Sequence, residues 1–241
     1  MNIDPKRKTT IAKVTLDKAE RSFSFLRENT ADAFFLEDSL DFISLGDVIH
    51  VGSLMLSSEK GRDFAKKIIS FSKAQKKILS FDINYRSDIF SNEEEAKKIY
   101  EEFYPQFDIV KFSKEELSIF TKEKDVEKAV KKLKQGPKII LVTLGKDGCL
   151  ASFGNKIIKE KSIKVNPIDT TGAGDAFLGT FLSNVDSLGL SEIMFIPSLM
   201  ESTLKFSNIA GALATTKMGA ITSIPSYKEV NDTLERHTFS K

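Results

Sequence analysis

The chain has 241 residues, 36 Lys+Arg against 34 Asp+Glu, 41% hydrophobic residues, one cysteine and no tryptophan. A chain of that length makes one domain, or a domain with a small appendage, and buries roughly 70% of the surface its unfolded form exposes, which excludes a disordered protein. A net charge of +2 with 29% charged residues gives no global field for nucleic acid or a membrane surface, so specificity must reside in a local site.

No apolar run approaches the roughly 18 residues of a spanning helix. The opening MNIDPKRKTT carries charge with no apolar stretch behind it, and the chain reads as soluble and cytoplasmic. Cys149 lies in the apolar run Cys149-Leu150-Ala151, where a small buried hydrophobe is expected rather than a nucleophile, and a lone cysteine closes no internal disulfide.

Two runs of alternating character, Thr10 to Leu16 and Arg21 to Arg27, flank the polar Asp17-Lys18-Ala19-Glu20 and predict a hairpin with Phe23 and Phe25 on one face. Phe34 to Phe42 predicts a short helix, and Val48 to Val51, closed by Gly52, a strand. From there strands and amphipathic helices alternate: helix 61–74, strand 78–82, helix 93–104, strand 108–111, helices 114–120 and 126–133, and strand 138–143. That rhythm indicates a parallel sheet with helices on both faces. Gly136-Pro137 stops the last of these helices, Gly145 and Gly148 bracket a tight turn into strand 149–153, and Gly154-Asn155 pairs it with 157–159 as a hairpin.

Asp169 to Thr216 holds only six charged residues, about half what the chain average would supply, so its helices are expected to be largely buried. The lysine-rich piece 122–138 is the opposite case. Glu123, Asp125 and Glu127 interleave with its lysines, which describes a solvated face with Val126, Val130 and Leu133 inward rather than a nucleic-acid patch. His50, inside an apolar strand, is expected to be a hydrogen-bonded core residue, and His237, near a terminus, a solvated one.

The informative run is Asp169-Thr170-Thr171-Gly172-Ala173-Gly174-Asp175-Ala176-Phe177, which follows an extended segment and opens a helix. Small residues at a helix N-terminus let backbone N–H groups approach an anion, and the helix dipole favours negative charge there. Phosphate is the natural guest, with Asp175 in the first turn. Taken alone, the run reads equally well as a sharp glycine turn with Asp175 complementing the dipole. Two rival phosphate motifs fail. A dinucleotide fingerprint needs a third small residue where Phe177 stands, and a P-loop needs Ser or Thr where Asp147 follows Gly145-Lys146.

DTTGAGDAF resembles the C-terminal signature of the ribokinase-like (PfkB) family of ATP-dependent sugar kinases, and further segments agree in order. Phe81 to Arg86 resembles the D-x-N-Y-R strand end of the fructokinase branch, Lys111 to Leu117 its K-x-S-x-E-E-L segment, Leu141 to Gly148 its V-T-L-G-x-x-G nucleotide loop, and Asn208 to Gly219 the adenine-side helix. The resemblance runs from Thr9 to Pro225. It implies a three-layer α/β/α fold with a mainly parallel sheet and a small, partial β lid: residues 6–28 as the lid hairpin and 29–241 as the nucleotide-binding and catalytic core.

The same resemblance implies phosphoryl transfer run by position and charge. Asp175 would be the general base on a sugar hydroxyl, and Gly172 with the N–H groups of Ala173, Gly174 and Asp175 would form the anion hole. Glu116 matches the acid that reaches Mg²⁺ through water, with Ser113 in place of the family's usual Asn; otherwise it is a solvated helix acid. Thr143, Gly145 and Gly148 would floor the ATP phosphates and ribose, and Asn208 and Gly211 would line the adenine. Without the resemblance these are a hairpin turn and a helix packing face. Asp169, Thr171, Ala214, Gly219 and Ser223 match positions where many relatives hold a monovalent cation such as K⁺. Asn84, Arg86, Phe25 and Arg27 match sugar or lid positions, although Phe25 is equally a hairpin core residue.

The segments with which the family usually opens, an early acid and a G-G-x-x-x-N-x-A stretch that carries the sugar site, do not occur. The expectation is therefore an N-terminally truncated kinase, with either a second chain supplying missing strands or two copies pairing through the lid. Two functions follow from it: an ATP-dependent, fructokinase-like sugar kinase, or a nucleotide-binding remnant with little sugar phosphorylation. Nothing in the sequence points to nucleic acid or a membrane as partner.

Overall fold

The computed structural model describes residues 3–17, 20–34, 40, 43–90, 92–133 and 135–239. The chain forms two compact units, Met1–Asp108 with Lys134–Gly136, and Ile109–Leu133 with Pro137–Lys241.

In the first unit, β1 (Ile11–Asp17) and β2 (Glu20–Leu26) form an antiparallel hairpin in the register Ile11 with Leu26. β3 (Val48–Gly52) and β4 (Ile78–Asp82) run parallel, joined by α1 (Glu59–Ala74). Ser58 caps α1 by accepting from Gly61 N–H at 3.0 Å. Phe64, Ala65, Ile68 and Ile69 bury one stripe of that helix, the 3.6-residue period the sequence predicts. α2 (Glu93–Phe103) begins on Asn92, whose side chain accepts from Glu95 N–H, carries three acids in its first turn, and buries Ala96, Tyr100 and Phe103. Phe81 stacks on Phe107 at 4.8 Å, a compact aromatic core at the end of β4.

In the second unit, β5 (Ile109–Ser113) and β6 (Ile139–Thr143) are parallel, and β7 (Cys149–Phe153) and β8 (Lys156–Glu160) continue the sheet antiparallel. α3 (Lys114–Thr121) starts on a reciprocal capping box between Ser113 and Glu116, and α4 (Val126–Lys132) on Asp125. On α4 the acids and lysines interleave as predicted, with Glu123 paired to Lys132 and Glu127 to Lys159. α5 (Ala173–Leu188), α6 (Leu190–Phe195), α7 (Pro197–Ala214) and α8 (Tyr227–Phe239) complete the unit. α7 buries ten residues, among them Asn208 and Gly211, as the charge-poor sequence requires. It meets α5 so closely that a Cβ on Gly211 would lie 3.1 Å from Ala173 O.

Most predicted elements lie within two residues of their observed bounds, and the hairpin pairing of 149–153 with 156–160 is as expected. The expected helix over 34–42 falls largely outside the described residues. The adenine-side segment 208–219 is helical only to Ala214, because residues 215–219 form a turn that ends with Gly219 at φ +86°. His50 departs from expectation. It bonds Ser80 Oγ at 3.2 Å but is exposed, because alternation along β3 buries Ile49 and Val51 and turns position 50 outward. Cys149 is fully buried, as expected, and that burial pushes its thiol up to about 12. Among the described residues no helix is long and apolar enough to cross a membrane.

Candidate active site

Gly172 sits at the N-cap of α5 with φ +79°, and a Cβ there would meet Ala220 at 3.2 Å. The loop ahead of the helix is stapled to the segment that follows α7. Ile168 N–H and Asp169 N–H both donate to Thr215 O, at 2.7 and 3.0 Å. The Asp169 carboxylate accepts from Thr171 N–H at 2.8 Å on one oxygen and from Gly219 N–H at 3.0 Å on the other. Asp169 is buried, and two backbone donors satisfy its charge. Of the residues predicted for a monovalent cation, Asp169, Thr171 and Gly219 are thus joined directly. Ala214 is buried at the end of α7, and Ser223 is buried with its hydroxyl donating to Ala220 O at 2.8 Å.

The helix begins at Ala173, so the N–H groups of its first turn lack intrahelical acceptors. Ala173 N–H reaches Thr170 O at 3.3 Å; those of Gly174 and Asp175 are the helix's open donors, at the positive end of its dipole. Asp175, in that first turn, is exposed.

Beside this turn lies a cavity of about 700 Å³, within the size range of small-molecule sites. Thr143, Gly145 and Gly148 line it from the β6–β7 turn, Ala173 and Gly174 from α5, and Asn208 and Gly211 from α7. All the residues predicted to hold the nucleotide therefore share one wall or another of a single cavity. The floor depends on Gly148, at φ +103°, where a Cβ would lie 2.0 Å from Glu160 O. Asn208 donates its amide to that same Glu160 carbonyl at 3.1 Å, tying α7 to β8.

Several lining residues went unforeseen: the connector from Ser162 to Pro167, Phe177, Ala212 and Thr215. The connector carries no motif, and only its position between β8 and α5 marks it. Lys111, which opens the K-x-S-x-E-E-L segment, is 6% exposed, with its ammonium against Gly174.

Glu116 is buried, and its carboxylate accepts Ser113 N–H at 2.7 Å. Among the described residues no three His, Cys, Asp or Glu side chains cluster as a metal cage. That donor set suits a Mg²⁺ that arrives with phosphate oxygens and keeps its waters, reaching the protein through one carboxylate.

The other predicted substrate residues belong to the first unit. Arg27 donates to Asp32 at 2.8 Å, Ser57 Oγ at 2.5 Å and Leu54 O at 3.1 Å, which fixes its guanidinium at the base of β2. Phe25 is half-buried. Asn84 follows β4 with φ +37° and donates its N–H to Asp82 at 3.2 Å. Arg86 donates to Tyr85 O at 2.9 Å.

The family described as pfkB family carbohydrate kinase matches residues 1–227. Fructokinase-1 of Zea mays is 37% identical over 238 residues, 97% of this chain and 73% of its own length. Among solved structures, the fructokinase from Xylella fastidiosa with bound ATP superposes with TM-score 0.88 at 27% identity, covering 98% of this chain and 76% of that one. The fructokinase of Vibrio cholerae O395, with fructose and ADP, is similar at 29% identity over 95% of this chain and 74% of that one. Its TM-scores are 0.80 for the calcium-bound form and 0.81 for a potassium-bound double mutant.

Proposed function

This chain belongs to the pfkB family of carbohydrate kinases, and we propose that it transfers the γ-phosphate of ATP to a hydroxyl of fructose or a related sugar with Asp175 as general base. Its fold is the ribokinase-like α/β fold, and its chemistry is that of a phosphotransferase with an alcohol acceptor. The observation that carries the proposal is the juxtaposition at the start of α5: open N–H donors, a nucleotide-sized cavity lined by Ala173 and Gly174, and an exposed carboxylate in the same turn.

ATP takes the cavity, with its base toward Asn208 and Gly211 and its phosphates toward the Gly145–Gly148 turn and α5. The sugar hydroxyl gives its proton to Asp175 as its oxygen bonds the γ-phosphorus, and the bond from that phosphorus to the bridging oxygen breaks, leaving ADP. The amides of Gly174 and Asp175 stabilise charge on the phosphoryl oxygens in flight. Mg²⁺, when bound, shields the phosphate charges, and Glu116 is the residue that would hold it. A monovalent cation beside the loop of Asp169, Thr171, Gly219 and Ser223 would reinforce the same staple. Arg27, Phe25, Asn84 and Arg86 are proposed on the sugar side. Ile11 and Leu26, exposed across the hairpin, support pairing of two copies through the lid. The cytoplasm is the compartment that supplies ATP and Mg²⁺ together.

A coupled ADP-release assay with ATP, Mg²⁺, K⁺ and a panel including fructose tests this. Wild type should turn over, and Asp175→Asn should lose between about 10² and 10⁴ in rate while still binding ATP. Equal turnover by both would overturn the assignment of the base. The chain spans 73% of the length of the maize relative. The second reading is nucleotide binding without sugar phosphorylation. It holds if both proteins are inert while ATP still raises Tm.

A further inference from the structure

The turn that joins α7 to α8 touches the start of α5 at two places. Gly219 N–H donates to Asp169, whose other oxygen takes Thr171 N–H. Gly172 lies so close to Ala220 that a Cβ on it would stand 3.2 Å from the Ala220 Cα and 3.3 Å from its carbonyl oxygen. Whatever fixes this turn therefore fixes where α5 begins. Apolar burial gives little hold on it, because among residues 217–226 only Ser223 is buried and Met218, Ile221 and Ile224 are exposed. Hydroxyls brace the turn within itself, Thr222 donating to Met218 O at 3.0 Å and Ser223 to Ala220 O at 2.8 Å. Its ends then decide where the piece sits.

One carboxylate holds both ends. Glu229, in the first turn of α8, accepts Ser226 N–H at 2.7 Å and the Ser226 hydroxyl at 2.8 Å on one oxygen, and Lys217 Nζ at 2.9 Å on the other. The Ser226 bonds belong to a helix cap; the bond to Lys217 reaches back across the whole turn. Ser226 N–H, then Lys217 and the Ser226 hydroxyl, hold the Glu229 carboxyl down to about 2, so it carries its charge throughout the neutral range. We propose that Glu229 is a positioning residue for phosphoryl transfer: by clasping Lys217 and Ser226 it holds Gly219 and Ala220 against Asp169 and Gly172, and through them the amides that open α5. The inference rests on the reading of those amides as the anion hole. Glu229 itself lies outside the cavity lining.

Two measurements on the full chain test it together. Hydrogen exchange read by mass spectrometry compares peptides over 169–172 and 217–221 with one over 231–236 in α8, and steady-state assays give kcat and KM. Glu229→Ala should speed exchange over 169–172 and 217–221 about three- to tenfold, the worth of one lost capping bond. It should lower kcat by a similar factor, with KM for ATP and sugar within about twofold. Lys217→Met, which opens the clasp and spares the α8 cap, and Glu229→Gln, which keeps the Ser226 bonds, should both show the same pattern more weakly. If Glu229→Ala does not fold, these two carry the test. A residue that only caps α8 would loosen 231–236 in Glu229→Ala, leave 169–172 and kcat unchanged, and make Lys217→Met silent; that result overturns the proposal. Faster exchange over 169–172 with wild-type kcat overturns it as well, and in either case the anion hole stands. Wild type that phosphorylates no sugar sinks the anion-hole reading and the proposal together.

Discussion

Gly148→Ala should be among the costliest single-methyl additions in this chain. Gly148 has φ +103° and ψ −132°, and a Cβ there would stand 2.0 Å from Glu160 O, 2.8 Å from Ser162 N and 2.9 Å from Lys161 C. All three are backbone atoms, so no side chain can swing aside and β8 itself must move. Placing a residue with a Cβ in such a conformation costs about 1 to 3 kcal/mol, and overpacking adds about 1 to 3 kcal/mol. The reduced entropy of the unfolded chain returns only about 0.4 to 1 kcal/mol. The net loss is about 1 to 5.6 kcal/mol, or a Tm lower by roughly 2 to 22 °C for a chain of this size. Gly154→Ala is the matched control, at φ +52° with nothing within 4 Å of the added methyl; it should cost less than about 1.5 kcal/mol. Urea unfolding followed by circular dichroism measures both, tryptophan being absent. Gly148 and Asn208 line the cavity, and Asn208 holds Glu160 O, so Gly148→Ala should also weaken ATP binding. Stabilities for the two variants within about 0.5 kcal/mol of each other would refute the steric argument.

Asp169→Ala removes the acceptor of both Thr171 N–H and Gly219 N–H and should cost about 2 to 4 kcal/mol; Asp169→Asn, able to accept but not to carry charge, should fall between. In turnover assays the alanine variant should lose kcat more than sugar KM, since the loop it frees carries the α5 donors; wild-type kinetics would refute that. Cys149 is held neutral, its pKa raised to about 12 from an unfolded value near 8.5. The stability this contributes is complete below about pH 8.5 and lost as pH rises toward 12. Between pH 8.5 and 11 wild type should therefore lose stability more steeply than Cys149→Ala, and native protein at pH 8 should resist thiol reagents that label it in urea. Parallel curves for the two proteins would contradict the burial of the thiol.

The elements were legible because their signals are local. Ser58, Asn92, Ser113 and Asp125 cap the helices that follow them, β3 to β7 are short, mainly apolar runs, and the hairpin β1–β2 is a pair of alternating ones. His50 shows the limit. An apolar run does not say which of its alternating positions faces inward until the neighbouring strand is placed, and beside β4 that position faces out. Glu116 shows another. From sequence it is a metal acid or a solvated one, and in the fold it also closes a capping box with Ser113.

The sequence by itself determined the α/β class, the glycine turn at Gly172 to Gly174 that opens a helix, and through its resemblance the kinase family, because each rests on residues adjacent in the chain or ordered along it. Only the tertiary structure decided that Thr143, Gly148, Gly174 and Asn208 share one cavity, that Asp169 spans to Gly219 fifty residues away, and that Lys111 lies against Gly174. Those contacts join distant parts of the chain through a carboxylate between two amides and a missing Cβ beside an ammonium. Sequence periodicity carries no record of such meetings, since it reports which face of an element is buried and not what it is buried against.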